Sequence, residues 1–291
     1  MAQFQPASNT GIFATRNSFA GLSSKDYGSV LIGRYDTPYK ISTRKLDNFS
    51  DSIADNRSLF GAIASSSSYT PFDGRQPDVI AYASPLLAGF SASIAQVNLA
   101  ETATTATAAK ASATSFAAMY DSTTLTASLA YETHALDTIR IGGTESAWRA
   151  GLGYTLDDFS VGAAYESTSD TLGKSTSLTS CSALASGADC FGHTAAYLTG
   201  KYSFGSSAIK LAYTTVSSIA SAANTGANQA SIGYDYRLTK RSTLFAVYTQ
   251  LTNETKANYG LGNAAFSSGA TASIGAGAAP SAVSFGLKQV F

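Results

Sequence analysis

Apolar and small polar residues alternate along this chain with a period of two. In Thr123–Thr133, Leu125, Ala127, Leu129 and Tyr131 fall on one face, and Thr126, Ser128, Ala130 and Glu132 on the other. The stretch SAWRAGLGYTL sorts Trp148, Ala150, Leu152 and Tyr154 against Arg149, Gly151 and Gly153. Val161, Ala163 and Tyr165 repeat the pattern, as do Ile209, Leu211 and Tyr213 against Lys210, Ala212 and Thr214. Ile232, Tyr234, Tyr236 and Leu238 alternate in the same way with Gly233, Asp235 and Arg237. A helix would scatter these side chains around its surface, whereas a strand separates them onto two faces. Thirteen such strands run from Asn17 to Phe291.

The connections alternate in length. Short turns read SSKDYG, PLLAG, DST, LDD, GSS and TKRS. Long loops cover Lys40–Pro77, Leu99–Ser112, Thr133–Thr144, Ser167–Gly192, Val216–Gly226 and Leu251–Pro280. Tight turns at one end of a sheet, long loops at the other and strands of about ten residues match the plan of a transmembrane β-barrel. A β-sandwich or β-helix also alternates, but a sandwich uses shorter strands around a dry core. The apolar face here often finishes in Tyr, at positions 120, 131, 154, 165, 202, 213 and 236. That placement suits rings at the headgroup level of a bilayer.

The opposite face carries Glu132, Arg149, Lys201, Lys210, Asp235, Arg237 and Lys288 among Ser, Thr and Gly. A dry interior would not take so many unpaired charges, so this face implies a water-filled lumen. Charged residues are only 13% of the chain, with 19 basic against 19 acidic side chains. The zero balance gives no whole-chain argument for nucleic acid. No stretch has the ~20 apolar residues of a membrane-spanning helix, and no signal peptide follows Met1. Cys181 and Cys190 lie in SCSALASGADCFG, without CxxC spacing. A loop-pinning disulfide in an oxidising compartment is favoured there over two free thiols.

Thr15–Lys40 (TRNSFAGLSSKDYGSVLIGRYDTPYK), Phe72–Val97 (FDGRQPDVIAYASPLLAGFSASIAQV) and the terminal GLKQVF resemble the general porins of Gram-negative outer membranes, in their neisserial and beta-proteobacterial form. The resemblance implies an all-β, sixteen-stranded antiparallel barrel, trimeric, passing small hydrophilic solutes and ions by diffusion. It implies a third outer loop folded into the lumen, here Lys40–Pro77, with acidic residues Asp47, Asp51 and Asp55 facing a basic wall. Arg34 of IGRYD and Arg16 of TRNSF match family positions. Arg149, Lys201 and Lys210 join the wall by strand parity. Phe291 resembles the terminal signal that outer-membrane assembly machinery reads, with Phe285 and Leu287 on the lipid face and Lys288 in the lumen.

One departure stands out. Nothing before Asn17 supplies the family's first two strands; AQFQ resembles the tail of strand three and PASNTG the remnant of an outer loop, making residues 1–16 a stub. The thirteen strands would then be the fourth to sixteenth of one barrel domain over residues 1–291, with roughly 60–80 residues missing. A smaller barrel is the rival, although unpaired edges in lipid cost several kcal/mol per group.

The functional expectation is a passive porin with weak anion preference, without cofactor, metal or nucleic-acid partner. A surface barrel acting as an adhesin through its loops, or a non-functional truncated porin, are the alternatives. An enzyme would need a nucleophile beside a base. His134 and His193 have no such motif nearby and read as solvated loop-side residues.

Overall fold

The computed structural model describes residues 16–61, 72–99, 111–136, 142–175, 180–262 and 274–290. Thirteen strands form one sheet in strict sequence order. They are β1 (Ser18–Ser24), β2 (Gly28–Asp36), β3 (Arg75–Ala83), β4 (Phe90–Asn98), β5 (Ser112–Asp121), β6 (Leu125–Ala135) and β7 (Thr144–Leu156). There follow β8 (Phe159–Asp170), β9 (Thr194–Phe204), β10 (Ser207–Val216), β11 (Ala227–Arg237), β12 (Ser242–Asn253) and β13 (Ser281–Gln289). Every neighbouring pair is antiparallel, and β1 and β13 are the sheet's edges. The barrel wall is therefore open in this structure.

Register follows from the short turns. The connection Asp157–Asp158 pairs Leu156 with Phe159, which sets Arg149 opposite Glu166. Gly205–Ser206 pairs Phe204 with Ser207, which sets Lys201 opposite Lys210. The loop between β2 and β3 spans 37–74, beginning and ending three residues earlier than the sequence suggests. Pro77 lies inside β3, where Pro77 and Asp78 face the single residue Arg34 across a bulge. A bulge is where a strand tolerates proline, because the ladder there needs no N–H.

The alternation emerges as two distinct faces. Leu129, Leu152, Val161, Leu198, Leu211 and Ile232 are all at least half exposed, although all are apolar. A row of paired rings sits near the long-loop end: Phe116 opposite Tyr131, and Tyr131 opposite Trp148, which touches Tyr165 at 5.2 Å between centroids. A second row sits near the short turns, where Phe90 packs on Tyr120 and Phe159 stacks on Tyr202. An apolar band between aromatic rows is the outer face of a barrel that crosses lipid.

The other face is the buried one. Ala164 of β8, Ala195 and Tyr197 of β9, Val216 of β10, Ala227 of β11 and Leu251 of β12 join Leu46, Leu59 and Phe60 of the 37–74 loop in one cluster. Neighbouring strands lie ~4.8 Å apart. Five successive strands can meet one cluster only if the sheet curls around it.

Candidate pore site

The 37–74 loop turns inward within a few residues of β2. Thr37 caps a single helical turn, α1 (Pro38–Ile41), its hydroxyl accepting from the Lys40 amide, with Pro38 at the first position. The Tyr39 amide then donates to Ser115 Oγ of β5 at 2.9 Å. Leu46 lies against Gly151 of β7, where an added Cβ would come within 2.7 Å of Leu46 Cδ1. Asn48 Nδ2 reaches Thr199 Oγ1 of β9 at 2.9 Å, and Gln229 Nε2 of β11 reaches the Ile53 carbonyl at 3.5 Å.

Two of the three loop carboxylates expected to face the wall, Asp47 and Asp55, instead hold the loop's own fold. Asp47 Oδ1 accepts from the Phe49 amide at 2.8 Å and the Tyr197 hydroxyl at 2.9 Å; Oδ2 accepts from the Asn56 amide at 3.2 Å. Asp55 takes both Arg44 terminal nitrogens, at 3.1 and 3.2 Å, and the amides of Asp51 and Arg57. The expectation that both line the passage is therefore corrected: a loop packed away from water must satisfy its own amides, and these carboxylates do so. Only Asp51 is open, its side chain 78% exposed. Burial, and then the neighbouring Asp55 carboxylate, push Asp47 up to about 6. Burial also opposes ionisation of Asp55, but the Arg44 guanidinium outweighs it and holds Asp55 below its ordinary value.

Arg149 also departs from its expected role. It shares the lumen face but is 1% exposed. Its Nε donates to Glu166 Oε2 at 2.9 Å, its Nη2 makes a closer contact with the same oxygen, and its Nη1 donates to Asp73 at 3.0 Å. The guanidinium lies over the rings of Tyr39, at 4.4 Å, and Phe60, at 5.2 Å. Glu166 further accepts from the Tyr39 hydroxyl at 2.7 Å and the Gly61 amide at 2.8 Å. Tyr39, Phe60, Gly61 and Asp73 all belong to the loop. Arg149 and Glu166 are therefore where both arms of the loop grip the wall, and Arg149's charge is spent on carboxylates instead of being offered to solutes.

A cavity of ≈ 670 Å³ opens on the short-turn side of the loop tip, between Asn48–Ser52 and the wall of β9–β13. Lys201, Lys210, Lys240, Arg241 and Lys288 line it, with Asp51 and Asp235. Lys201 and Lys210 are direct cross-strand neighbours, a like-charge placement that costs stability. Lys210 is relieved by Asp235 at 2.9 Å and lies 5.1 Å from the centre of the Phe49 ring. Lys201 has no ion pair among the described residues.

A family model described as "Gram-negative porin" matches residues 2–256. The chain belongs to the Gram-negative porin family. No curated protein matches it by sequence. Among solved structures, the porin is similar to the anion-selective porin from Comamonas acidovorans, with TM-score 0.78 and 21% identity over 98% of this chain and 80% of that one. It is similar to OmpT of Vibrio cholerae, with TM-score 0.65 and 13% identity over 94% and 80%. It is also similar to OmpF of Salmonella typhi, with TM-score 0.63 and 14% identity over 94% and 78%. At these identities the likeness establishes the barrel fold. The porin is thus an outer-membrane β-barrel channel protein.

The porin's remaining sequence-derived candidates fall in different places. Arg34 is half-buried at the β3 bulge with Arg75 and Asp36 as its charged neighbours, and its Nε is buried without a hydrogen bond to any described residue. Arg16 is exposed just before β1, at the long-loop end of the edge strand, its carbonyl accepting from Ser18 Oγ. Cys181 and Cys190 are joined by a disulfide with Cα atoms 5.7 Å apart, next to Asp170, whose carboxylate gathers the amides of Leu172, Cys190 and Phe191. Phe291 lies outside the described residues, while Phe285 and Leu287 of β13 are exposed on the lipid side. His134 and His193 are not solvated: they are 0% and 5% exposed, because both share the lumen face and are packed against buried partners.

Several site residues escaped sequence reasoning: Tyr39, Glu166, Asp73, Arg75, Lys240 and Arg241. Glu166 was within reach. The LDD turn fixes the β7–β8 register, and counting back from it places Glu166 opposite Arg149. Asp73 and Tyr39 gave no signal, since contacts between a loop and a wall follow no period.

Proposed function

We propose that this porin is a passive diffusion channel for small hydrophilic solutes, with weak preference for anions. The observation that carries the reading is the cavity beside the loop tip, where five cationic side chains meet two carboxylates, Asp235 paired with Lys210 and Asp51 with Arg44 of its own loop. The 37–74 loop is the constriction, held by Arg149 and Glu166, and its exposed Asp51 faces the basic wall across the passage. A transverse field of this kind selects by charge without chemistry. Arg34 and Arg75 add positive charge higher in the wall, and Arg16 lies at its rim. Solutes pass without any catalytic step. The molecular name of the Comamonas acidovorans relative, an anion-selective porin, agrees with this reading. A trimer in the outer membrane is the assembly we infer, since a trimer form is named for the Vibrio cholerae relative. Membrane lipid on the aromatic-banded face and assembly machinery recognising Phe291 complete the set of partners. The test is the reversal potential of the reconstituted protein in a KCl gradient. Preference for chloride is expected, and clear preference for potassium would overturn it.

A further inference from the structure

Beside the loop anchor lies a second buried cluster. Glu132 and His134 of β6 and Glu145 of β7 are each 0% exposed. His134 Nε2 is 3.0 Å from Glu132 Oε1, and Nδ1 is 3.0 Å from Glu145 Oε2. Phe72, on the returning arm of the loop, stacks on the imidazole with centroids 4.2 Å apart and planes 20° apart. The outer oxygens, Glu132 Oε2 and Glu145 Oε1, are buried without hydrogen-bond partners among the described residues.

The geometry sets a proton count. Each N···O contact needs one proton between nitrogen and carboxylate, and a neutral imidazole has a single N–H. With both contacts made, the three side chains hold two protons and a net charge of −1. Removing one proton turns one contact into lone pair against lone pair and leaves two negative charges with no water to solvate them. It also removes the attraction between an imidazolium and the face of Phe72. Among the described residues, the surrounding charges do not supply a substitute. Asp170 of β8 lies opposite Glu145, with its carboxylate committed to the Leu172, Cys190 and Phe191 amides. From the loop, Tyr39 neighbours Glu132 and donates its hydroxyl to Glu166, while Arg57 pairs with Asp73 next to Phe72. Arg149 is committed to Glu166 and Asp73. From β5, Ala113 and Ser115 lie opposite His134 and Glu132 without charge.

We propose that Glu132, His134 and Glu145 form a proton-held latch on the returning arm of the constriction loop, with His134 as the positioning residue. The proposal rests on reading 37–74 as the constriction. While both protons are held, the ring is fixed as the seat of Phe72. Loss of one frees the ring, loosens the arm and makes the passage fluctuate.

The test is open-channel current noise of the reconstituted porin as pH is raised stepwise from neutral, equally on both sides, at constant salt. The wild type should show a reversible, several-fold rise in noise with the steepness of a single proton. In Glu145→Gln the amide donates to the ring, so one proton fewer completes both contacts, and this variant should stay quiet over the range. Glu132→Gln is the mirror test if Glu145→Gln does not fold. Phe72→Ala should be noisy at every pH. A wild type quiet throughout, or amide variants that keep the wild-type step, would overturn the latch. In ¹⁵N-histidine spectra of the wild type, the His134 ring signals should move through the same step even if no current flows, and static signals would also overturn it. Failure of the diffusion reading would show separately, as absent conductance with moving His134 signals.

Discussion

Glu166 and Arg149 face each other across the β7–β8 ladder, and the Glu166 carboxylate accepts from Arg149 Nε at 2.9 Å while also holding the amide of Gly61 at 2.8 Å. One buried ion pair thus joins two wall strands to the 37–74 loop. Replacing Glu166 by Gln leaves a guanidinium that is 1% exposed with a single formal counter-charge, Asp73. Breaking a buried pair of this kind costs about 3–5 kcal/mol. The loop should also loosen from the wall. Urea unfolding in detergent should show the lost stability, and single-channel recording should show larger, less uniform conductance. Wild-type values in both would refute the anchoring role.

Gly61 is the second point of that anchor. Its φ is +66°, and an added Cβ would lie 2.5 Å from Asp73 Cβ. Gly61→Ala must therefore both adopt a left-handed backbone and displace the other arm of the loop. A cost of about 1–3 kcal/mol is expected from the backbone alone, with the same rise in conductance variability as Glu166→Gln. The pair Glu166→Gln/Gly61→Ala should cost less than the sum of the two, because both disrupt one contact network.

Lys201 should govern selectivity more than Lys210. Both line the cavity, but Lys210 is paired with Asp235 and Lys201 is not among the described ion pairs. Lys201→Glu changes the local charge by two and should move the KCl reversal potential toward cations; Lys210→Gln should move it less. The effect should be large near 0.01 M salt, where the Debye length is about 30 Å, and nearly vanish at 1 M, where it is about 3 Å. Equal shifts at both salts would show that the field is not the cause.

Charge selection should also depend on pH through Asp47. Asp47, Asp51 and Asp55 share Arg44, so the ionised cluster carries two net negative charges. Burial and the Asp55 carboxylate push Asp47 up to about 6. As pH falls through that value, Asp47 takes a proton, the cluster keeps one net negative charge instead of two, and the passage loses negative charge. Anion preference should therefore rise on acidification through pH about 6, and Asp47→Asn should show the higher preference at neutral pH without the step. A step that survives in Asp47→Asn would assign it to another group.

The wall was legible in the sequence, and the loop's grip on it was not. Leu129 with Tyr131, or Leu152 with Tyr154, announce their face by parity alone, and the turns at Asp157–Asp158 and Gly205–Ser206 set the pairing. Parity also put Arg149, Lys201 and Lys210 on the face opposite the apolar stripe. It could not distinguish a charge facing water from a charge already neutralised. That difference depends on Glu166 and Asp73 for Arg149, and on Asp235 for Lys210. Asp47 and Asp55 look like lumen acids in the sequence, yet their oxygens are taken by amides of their own loop.

By itself, then, the sequence determined the antiparallel strands, their pairing across the short turns and which face is apolar, because a period of two and a tight turn are both local. The tertiary structure alone decided which lumen charges remain available to solutes. Ionic character there depends on burial and on partners up to 150 residues apart, as for Asp47 and Tyr197, and no local pattern carries that information.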